Sequence, residues 1–305
     1  MALEKIITSS SDLKKNTTAS FDPGAEGNWD IVIGPTNPLF NFQFKEIWSY
    51  RDLLRMFIRR DFAAQYKQTI LGPLWHLIQP LLTTLFFYVV FSRIAKISTD
   101  GLPPVLFYLS GITCWNFFSS IFTGCSNIFV QNAWLFSKVY FPRLIMPIGN
   151  AIGALLRFGI QLLLLLPFFM YYSFNGYDFS IGWGILLLPV AILMMSLIGL
   201  SMGIIISSLT VKYRDMTIIV GFATQLLMFA TPIVYPSSMI DSESLRFWIM
   251  LNPLTSVVEL FRYASLGVGT VSIAGTMYSF AFMVIALIVG LILFNRTQLT
   301  AQDKV

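Results

Sequence analysis

Three rows of polar side chains interrupt long apolar stretches. His76, Gln79 and Thr83 recur at helical spacing and are continued by Phe87. Asn150, Arg157 and Gln161 recur at i, i+7 and i+11, and Thr217, Gly221, Thr224, Met228 and Thr231 share a third face. A polar group in hydrocarbon is costly, so each row faces a bundle interior or a water path. Hydroxyl and amide groups are the partners that a hydrated sugar pathway needs. They serve equally as glue between helices, and a threonine can satisfy itself on its own helix carbonyl. Arg157 admits a structural partner and a pathway role alike.

A charged pair, Glu259 and Arg262 at i and i+3, sits in an apolar stretch. It either shields both charges from lipid as a local ion pair or makes a gate contact. Two short turns mix charged and aromatic side chains: residues 131–143, with Lys138, Tyr140 and Arg143, and Val211-Lys212-Tyr213-Arg214-Asp215. Each is an ordinary positive loop or a rigid element that passes force from a soluble motor to two helices. Aromatics such as Phe86, Phe87, Tyr88, Trp115, Tyr172, Tyr235 and Trp248 can stack on sugar rings, and they also form membrane-interface belts.

Other chemistry is missing from the sequence. No G-x-x-x-x-G-K-[ST] loop occurs, so the chain does not bind ATP in the P-loop manner. No catalytic constellation stands out, and the single histidine, His76, argues against a histidine-based metal cluster. Cys114 and Cys125 lie 11 positions apart, about 16 Å along a helix, too far to bridge within the chain.

The elements that must position these residues follow from composition. The 305 residues are 56% hydrophobic and 11% charged, against roughly 25% charged in soluble domains. The formal charge of +5 is not gathered into a nucleic-acid-binding patch. A bilayer core of about 30 Å needs about 20 apolar residues. Six stretches answer to that, at about 70–92, 105–129, 144–172, 181–210, 216–235 and 272–294. The stretch 245–267, with Asn252-Pro253, Glu259 and Arg262, is too polar for a simple span and fits a re-entrant hairpin.

With six spans and both termini inside, Lys and Arg concentrate on the inner flanks. Lys45, Arg51, Arg55, Arg59, Arg60, Lys67, Lys138, Arg143, Lys212, Arg214 and Arg296 lie there, and Arg93, Lys96, Arg246 and Arg262 lie outside. Residues 45–69 read as an amphipathic interface helix: Ile47, Tyr50, Leu54, Phe57, Ile58 and Phe62 fall on one face, Arg55, Arg59 and Arg60 on the other. The expected fold is an all-α integral membrane protein. A cytosolic tail (1–44) without a signal peptide precedes the interface helix, a transmembrane domain spans 70–296, and a cytosolic tail closes the chain (297–305). Gly199, Gly203 and Ser207, and Gly149 with Gly153, mark close helix packing and no chemistry.

The ordered motifs resemble a known family. Arg59-Arg60-Asp61, then Tyr66-Lys67-Gln68-Thr69-Ile70-Leu71-Gly72-Pro73-Leu74-Trp75 and Gln79-Pro80-Leu81, resemble the entry to the first span of ABC-2 type permeases that export polysaccharide. Ser137-Lys138-Val139-Tyr140-Phe141-Pro142-Arg143, Lys212-Tyr213-Arg214-Asp215, Ala230-Thr231-Pro232-Ile233-Val234-Tyr235-Pro236, Leu251-Asn252-Pro253-Leu254 and Glu259-Leu260-Phe261-Arg262-Tyr263 follow in order. O-antigen and capsule exporters are the most similar, teichoic acid exporters next.

The resemblance implies a permease, not an enzyme, in the bacterial cytoplasmic (inner) membrane. It implies a homodimer bound to two ATPase subunits that hold the ATP and Mg, a lipid-linked polysaccharide as cargo, and no cofactor, metal or nucleic acid on this chain. It places ATPase coupling at Arg55, Arg59, Lys138, Tyr140, Arg143, Arg214 and Asp215. It places the channel lining at His76, Gln79, Thr83, Phe87, Thr217, Thr224, Met228 and Thr231, and the outer gate at Tyr235, Asn252, Glu259 and Arg262. Rival readings are an exporter of capsule, teichoic acid or a smaller amphipathic molecule in the same superfamily. An ion-coupled carrier lacks its inverted repeats here, and a membrane glycosyltransferase lacks its acidic loop site.

Overall fold

Apolar runs of 20 residues can satisfy their backbone in lipid only as helix or closed barrel, and these runs form helices. The computed structural model describes residues 44–302 other than 68, 137, 140, 178, 180, 181 and 214. Tyr140, Arg214, the predicted N-terminal tail up to residue 43 and residues 303–305 lie outside the described residues, whereas 297–302 of the predicted C-terminal tail continue the last helix. Among the described residues there is no strand, and the chain is an all-α membrane protein.

The predicted helix over 45–69 is two helices, α1 (Phe44–Ser49) and α2 (Arg51–Tyr66). The chain breaks at Tyr50 and turns extended at Lys67. The face read from periodicity is the one that packs: Phe57 is buried, whereas Arg55, Arg59 and Arg60 are exposed. Helix α3 (Trp75–Phe87) begins after a tight turn, Gly72–Leu74, with Pro73 at its second position, and continues as wider π-helical turns over Tyr88–Ile94. Helix α4 (Pro104–Ser126) is the hub, with every residue from Leu106 to Trp115 buried.

Short helices α5 (Ile128–Gln131) and α6 (Ala133–Phe136) lead to α7 (Ile145–Phe174). Then come α8 (Leu188–Thr210), α9 (Met216–Phe229), α10 (Glu243–Met250), α11 (Pro253–Leu266) and α12 (Ile273–Gln302). Helix α4 packs on α7 and α8, and α8 packs on α12. The glycine pattern explains the approach of α4 and α8. A Cβ at Gly203 would lie 2.5 Å from Cys125 Cβ, and one at Gly199 would lie 3.3 Å from Ile121 Cβ. A second apolar cluster, including Phe57, Phe129, Phe141, Ile145 and Phe294, gathers α2, the 128–141 segment, α7 and α12 at one end.

Five helical stretches are long and apolar enough to cross a membrane: Gly72–Ile94, Pro104–Ser126, Ile145–Phe174, Trp183–Thr210 and Ile273–Gln298. The predicted fifth span, 216–235, differs. Its helix α9 has 14 residues, about 21 Å, and stops at Phe229. Pro232, which has no N–H to donate, follows shortly, and residues 230–236 leave the helix and are largely buried. The stretch 245–267 is a pair of helices, as its polar interruption at Asn252-Pro253 suggested. Asn252 Oδ1 accepts from Leu254 N at 3.0 Å with Pro253 at N1, and α11 ends at Gly267 with φ 73°, a left-handed cap.

Candidate functional site

The polar rows of the first and third spans meet. Gln65 from α2, His76 and Gln79 from α3, Asn116 and Ser120 from α4, and Arg157 and Gln161 from α7 line a cavity of about 270 Å3. Phe117 and Phe158, stacked at 4.5 Å between centroids, form an aromatic wall.

Arg157 Nη2 donates to Ser120 Oγ at 2.8 Å. Among the described residues no carboxylate lies within 4 Å of Arg157. Asp61, an acid whose charge acts on it, is exposed and paired with Arg60 at 2.7 Å. His76 Nε2 and Gln161 Oε1 are buried with no hydrogen-bond partner, as is the Tyr66 hydroxyl. The Tyr66 ring meets His76 edge-on at 5.4 Å. Burial raises the Tyr66 phenol above its usual range and the Arg157 charge opposes the rise, so at neutral pH the group is a neutral O–H.

Asn150, on the same sequence stripe as Arg157, does not reach the cavity. It donates to Ile121 O at 3.3 Å and to Cys125 Sγ at 3.4 Å, which is contact between helices. Asn116, Ser120 and Gln65 were not singled out from sequence. The pair Asn116 and Ser120 at i, i+4 in an apolar helix was the available signal.

Three of the four predicted lining threonines satisfy themselves on their own backbone. Thr83 Oγ1 donates to Gln79 O at 2.9 Å, Thr224 Oγ1 to Val220 O at 2.6 Å and Thr231 Oγ1 to Leu227 O at 2.7 Å. Thr224 and Thr231 are buried within the chain, Phe87 is buried beside Tyr108 and Phe91, and Thr217 and Met228 are half-buried.

The four residues expected at the outer gate gather at and beside segment 230–236. Arg262, 1% exposed, donates to Pro232 O at 2.6 Å and Ile233 O at 3.0 Å, and its guanidinium lies 3.9 Å from the Phe107 ring centroid. Glu259 sits 3.7 Å away, a loose ion pair. Glu259 instead accepts from Ser237 Oγ at 3.1 Å and Thr270 N at 3.2 Å. Asn252 Nδ2 donates to Thr231 Oγ1 at 2.9 Å and Ala230 O at 3.3 Å, and the Tyr235 hydroxyl donates to Phe229 O at 3.0 Å. Carbonyls freed by the end of α9 are thus bonded by side chains of the α10–α11 hairpin, as irregular backbone away from water requires. The ion pair read from spacing exists, but its arginine acts mainly as a backbone clamp.

Among the described residues, those expected to couple to the ATPase lie on separate elements. Arg55 pairs with Asp52 at 3.3 Å on the exposed face of α2, where Arg59 also lies. Lys138 and Asp215 are exposed. Arg143 is half-buried, donates to Gln298 O at 3.0 Å and lies 5.5 Å over the Phe136 ring, tying the 128–143 turn to the end of α12.

The family model for ABC-2 type transporters matches residues 52–266, from the first turn of α2 to the last residue of α11. The chain belongs to the ABC-2 type transporter family. The family match covers the α2 helix, the polar cavity and the Arg262 clamp. Among its relatives is the O-antigen export system permease protein RfbA of Klebsiella pneumoniae, 30% identical over 249 residues, covering 80% of this chain and 92% of the relative. The protein of the same name from Myxococcus xanthus is 29% identical over 219 residues, covering 72% and 82%. The polysialic acid transport protein KpsM of Escherichia coli is 24% identical over 251 residues, covering 78% and 91%.

Proposed function

We propose that this ABC-2 chain is the transmembrane permease subunit of an ATP-driven exporter that moves lipid-linked polysaccharide, of the O-antigen type, across the bacterial cytoplasmic membrane. The observation that carries the reading is its alignment along 92% of a permease named for O-antigen export, in a sequence without a nucleotide-binding loop. The work then comes from a separate ATPase, which holds ATP and Mg, and the permease acts as a homodimer with two such subunits. A capsule-type glycan is the second reading, favoured by the likeness to the polysialic acid transport protein.

In this reading α9 and the buried segment 230–236 together complete a fifth crossing, so that the chain spans six times with both ends cytosolic. Segment 230–236 tolerates membrane depth because Arg262 and Asn252 bond its carbonyls. The α10–α11 hairpin re-enters from outside as the outer gate. Helix α2 lies in the headgroup plane with its arginines facing the ATPase. The turn around Arg143, pinned to α12, passes the motion of the ATPase into the bundle. His76 and Gln79 line the polar route near its cytosolic entry.

Deleting the gene should abolish surface polysaccharide while lipid-linked glycan accumulates inside, and the full chain should restore export. The purified permease should copurify with an ATPase, and Arg143→Ala should leave ATP hydrolysis running while export falls. Unchanged surface glycan in the deletion strain, or transport by the purified chain with no ATPase present, would refute the reading.

A further inference from the structure

The cavity at the α2–α3 corner carries chemistry that a neutral sugar chain does not demand. Its formal charge is Arg157, which among the described residues has one hydrogen-bond partner, Ser120 Oγ, and no carboxylate within 4 Å. A guanidinium carries five N–H donors, so most are unused. A cation inside an apolar bundle without a counter-charge is costly, and such a residue marks a partner that comes from elsewhere.

The surrounding groups are donors or can become so. Tyr66 presents a neutral O–H with no partner, and His76 Nε2 is buried and unpaired. Gln161, 6% exposed, leaves its Oε1 unpaired, and an amide turned about its last torsion presents NH2 instead. Gln65, Gln79 and Asn116 add further amides. A fork of N–H groups ringed by neutral donors is complementary to an oxyanion, and guanidinium geometry matches phosphate in bidentate fashion.

We propose that this cavity binds the phosphate group of a lipid headgroup. Gln65 is the penultimate residue of α2 and His76 the second of α3, so the cavity opens where an interface helix meets the first span. That is the level of headgroup phosphates. About 270 Å3 accommodates a phosphate ester with several waters. The assignment to lipid rests on the exporter reading through the placement of α2; the anion chemistry does not.

The test uses the full chain in dodecyl maltoside, a phosphate-free detergent. Three probes are titrated by calorimetry: dioctanoyl phosphatidic acid, dioctanoylglycerol and inorganic phosphate. Phosphatidic acid should bind and dioctanoylglycerol should not. Arg157→Ala should weaken binding by about 10- to 100-fold and Gln161→Leu by less, while Arg246→Ala, which removes an exposed charge on α10, should change nothing. Arg157→Ala removes a half-buried charge and leaves the fold intact, which a melting curve checks, and Arg157→Lys should keep part of the affinity. Weaker binding of inorganic phosphate than of phosphatidic acid supports the lipid source. Equal, Arg157-dependent binding of both upholds the anion site but overturns that source. Equal binding by the unmodified chain and Arg157→Ala overturns the site. If export in cells depends on the chain and this last result is found, only the site fails; if binding needs Arg157 but deletion spares export, only the exporter reading fails.

Discussion

Arg262→Leu tests whether one side chain holds the irregular segment after α9. The substitution removes two hydrogen bonds from a charged donor, to Pro232 O at 2.6 Å and Ile233 O at 3.0 Å. Each is worth about 1.5–3 kcal/mol, and the carbonyls left behind are buried. Two effects work against the loss. The guanidinium no longer has to be desolvated, and Glu259 keeps its bonds from Ser237 and Thr270, so it is not fully stranded. Breaking a buried charged cluster from one side costs about 3–5 kcal/mol, and the retained Glu259 bonds favour the low end. The expected loss is therefore about 3 kcal/mol, about a hundredfold in the unfolding equilibrium.

Unfolding in mixed micelles titrated with SDS and followed by tryptophan fluorescence measures it, with Trp248 in α10 a nearby reporter. Arg262→Lys keeps the charge, loses the fork and should fall between the two. Gly111→Ala attacks the same contact from the other side, because its Cβ would lie 2.8 Å from Arg262 Nη2 and 3.0 Å from Ile233 O. That variant should cost about 1–3 kcal/mol alone and less in the Arg262→Leu background, where the guanidinium is gone. A loss under about 1 kcal/mol for Arg262→Leu, or strict additivity with Gly111→Ala, would refute the clamp.

Gly203→Ala should destabilise by about 1–3 kcal/mol in the same assay, since its Cβ would meet Cys125 Cβ at 2.5 Å and Phe122 O at 3.0 Å. Gly221→Ala, with nothing within 4 Å, should be neutral or stabilise by up to about 1 kcal/mol. Cys114 and Cys125 are free and fully buried, so a maleimide should label neither until the protein is unfolded in SDS. Rapid labelling of the folded chain would contradict the packing of α4 against α7 and α8.

Much of the site was legible as stripes. The rows His76–Gln79 and Arg157–Gln161 followed from helical periodicity and the cost of polar groups in hydrocarbon. That they face one another could not be read, because facing depends on how α3 and α7 are rotated about α4. The threonine row showed the opposite. Its residues share a face, but Thr224 and Thr231 direct their hydroxyls to their own helix, a choice made within one turn that periodicity does not reveal. The apolar window over 216–235 overran the helix because hydropathy counts apolar side chains and does not count lost N–H donors.

From the sequence alone came the solvent and the secondary structure: 56% hydrophobic residues demand lipid, and lipid demands helix. Tertiary structure decided which polar groups meet. Arg262 lies 29 and 30 residues from the carbonyls it bonds, and Arg157 lies 37 from Ser120. Local spacing specifies contacts within a few turns of one helix, whereas these contacts arise from the packing angles of helices around α4, which depend on the whole set of interlocking side chains.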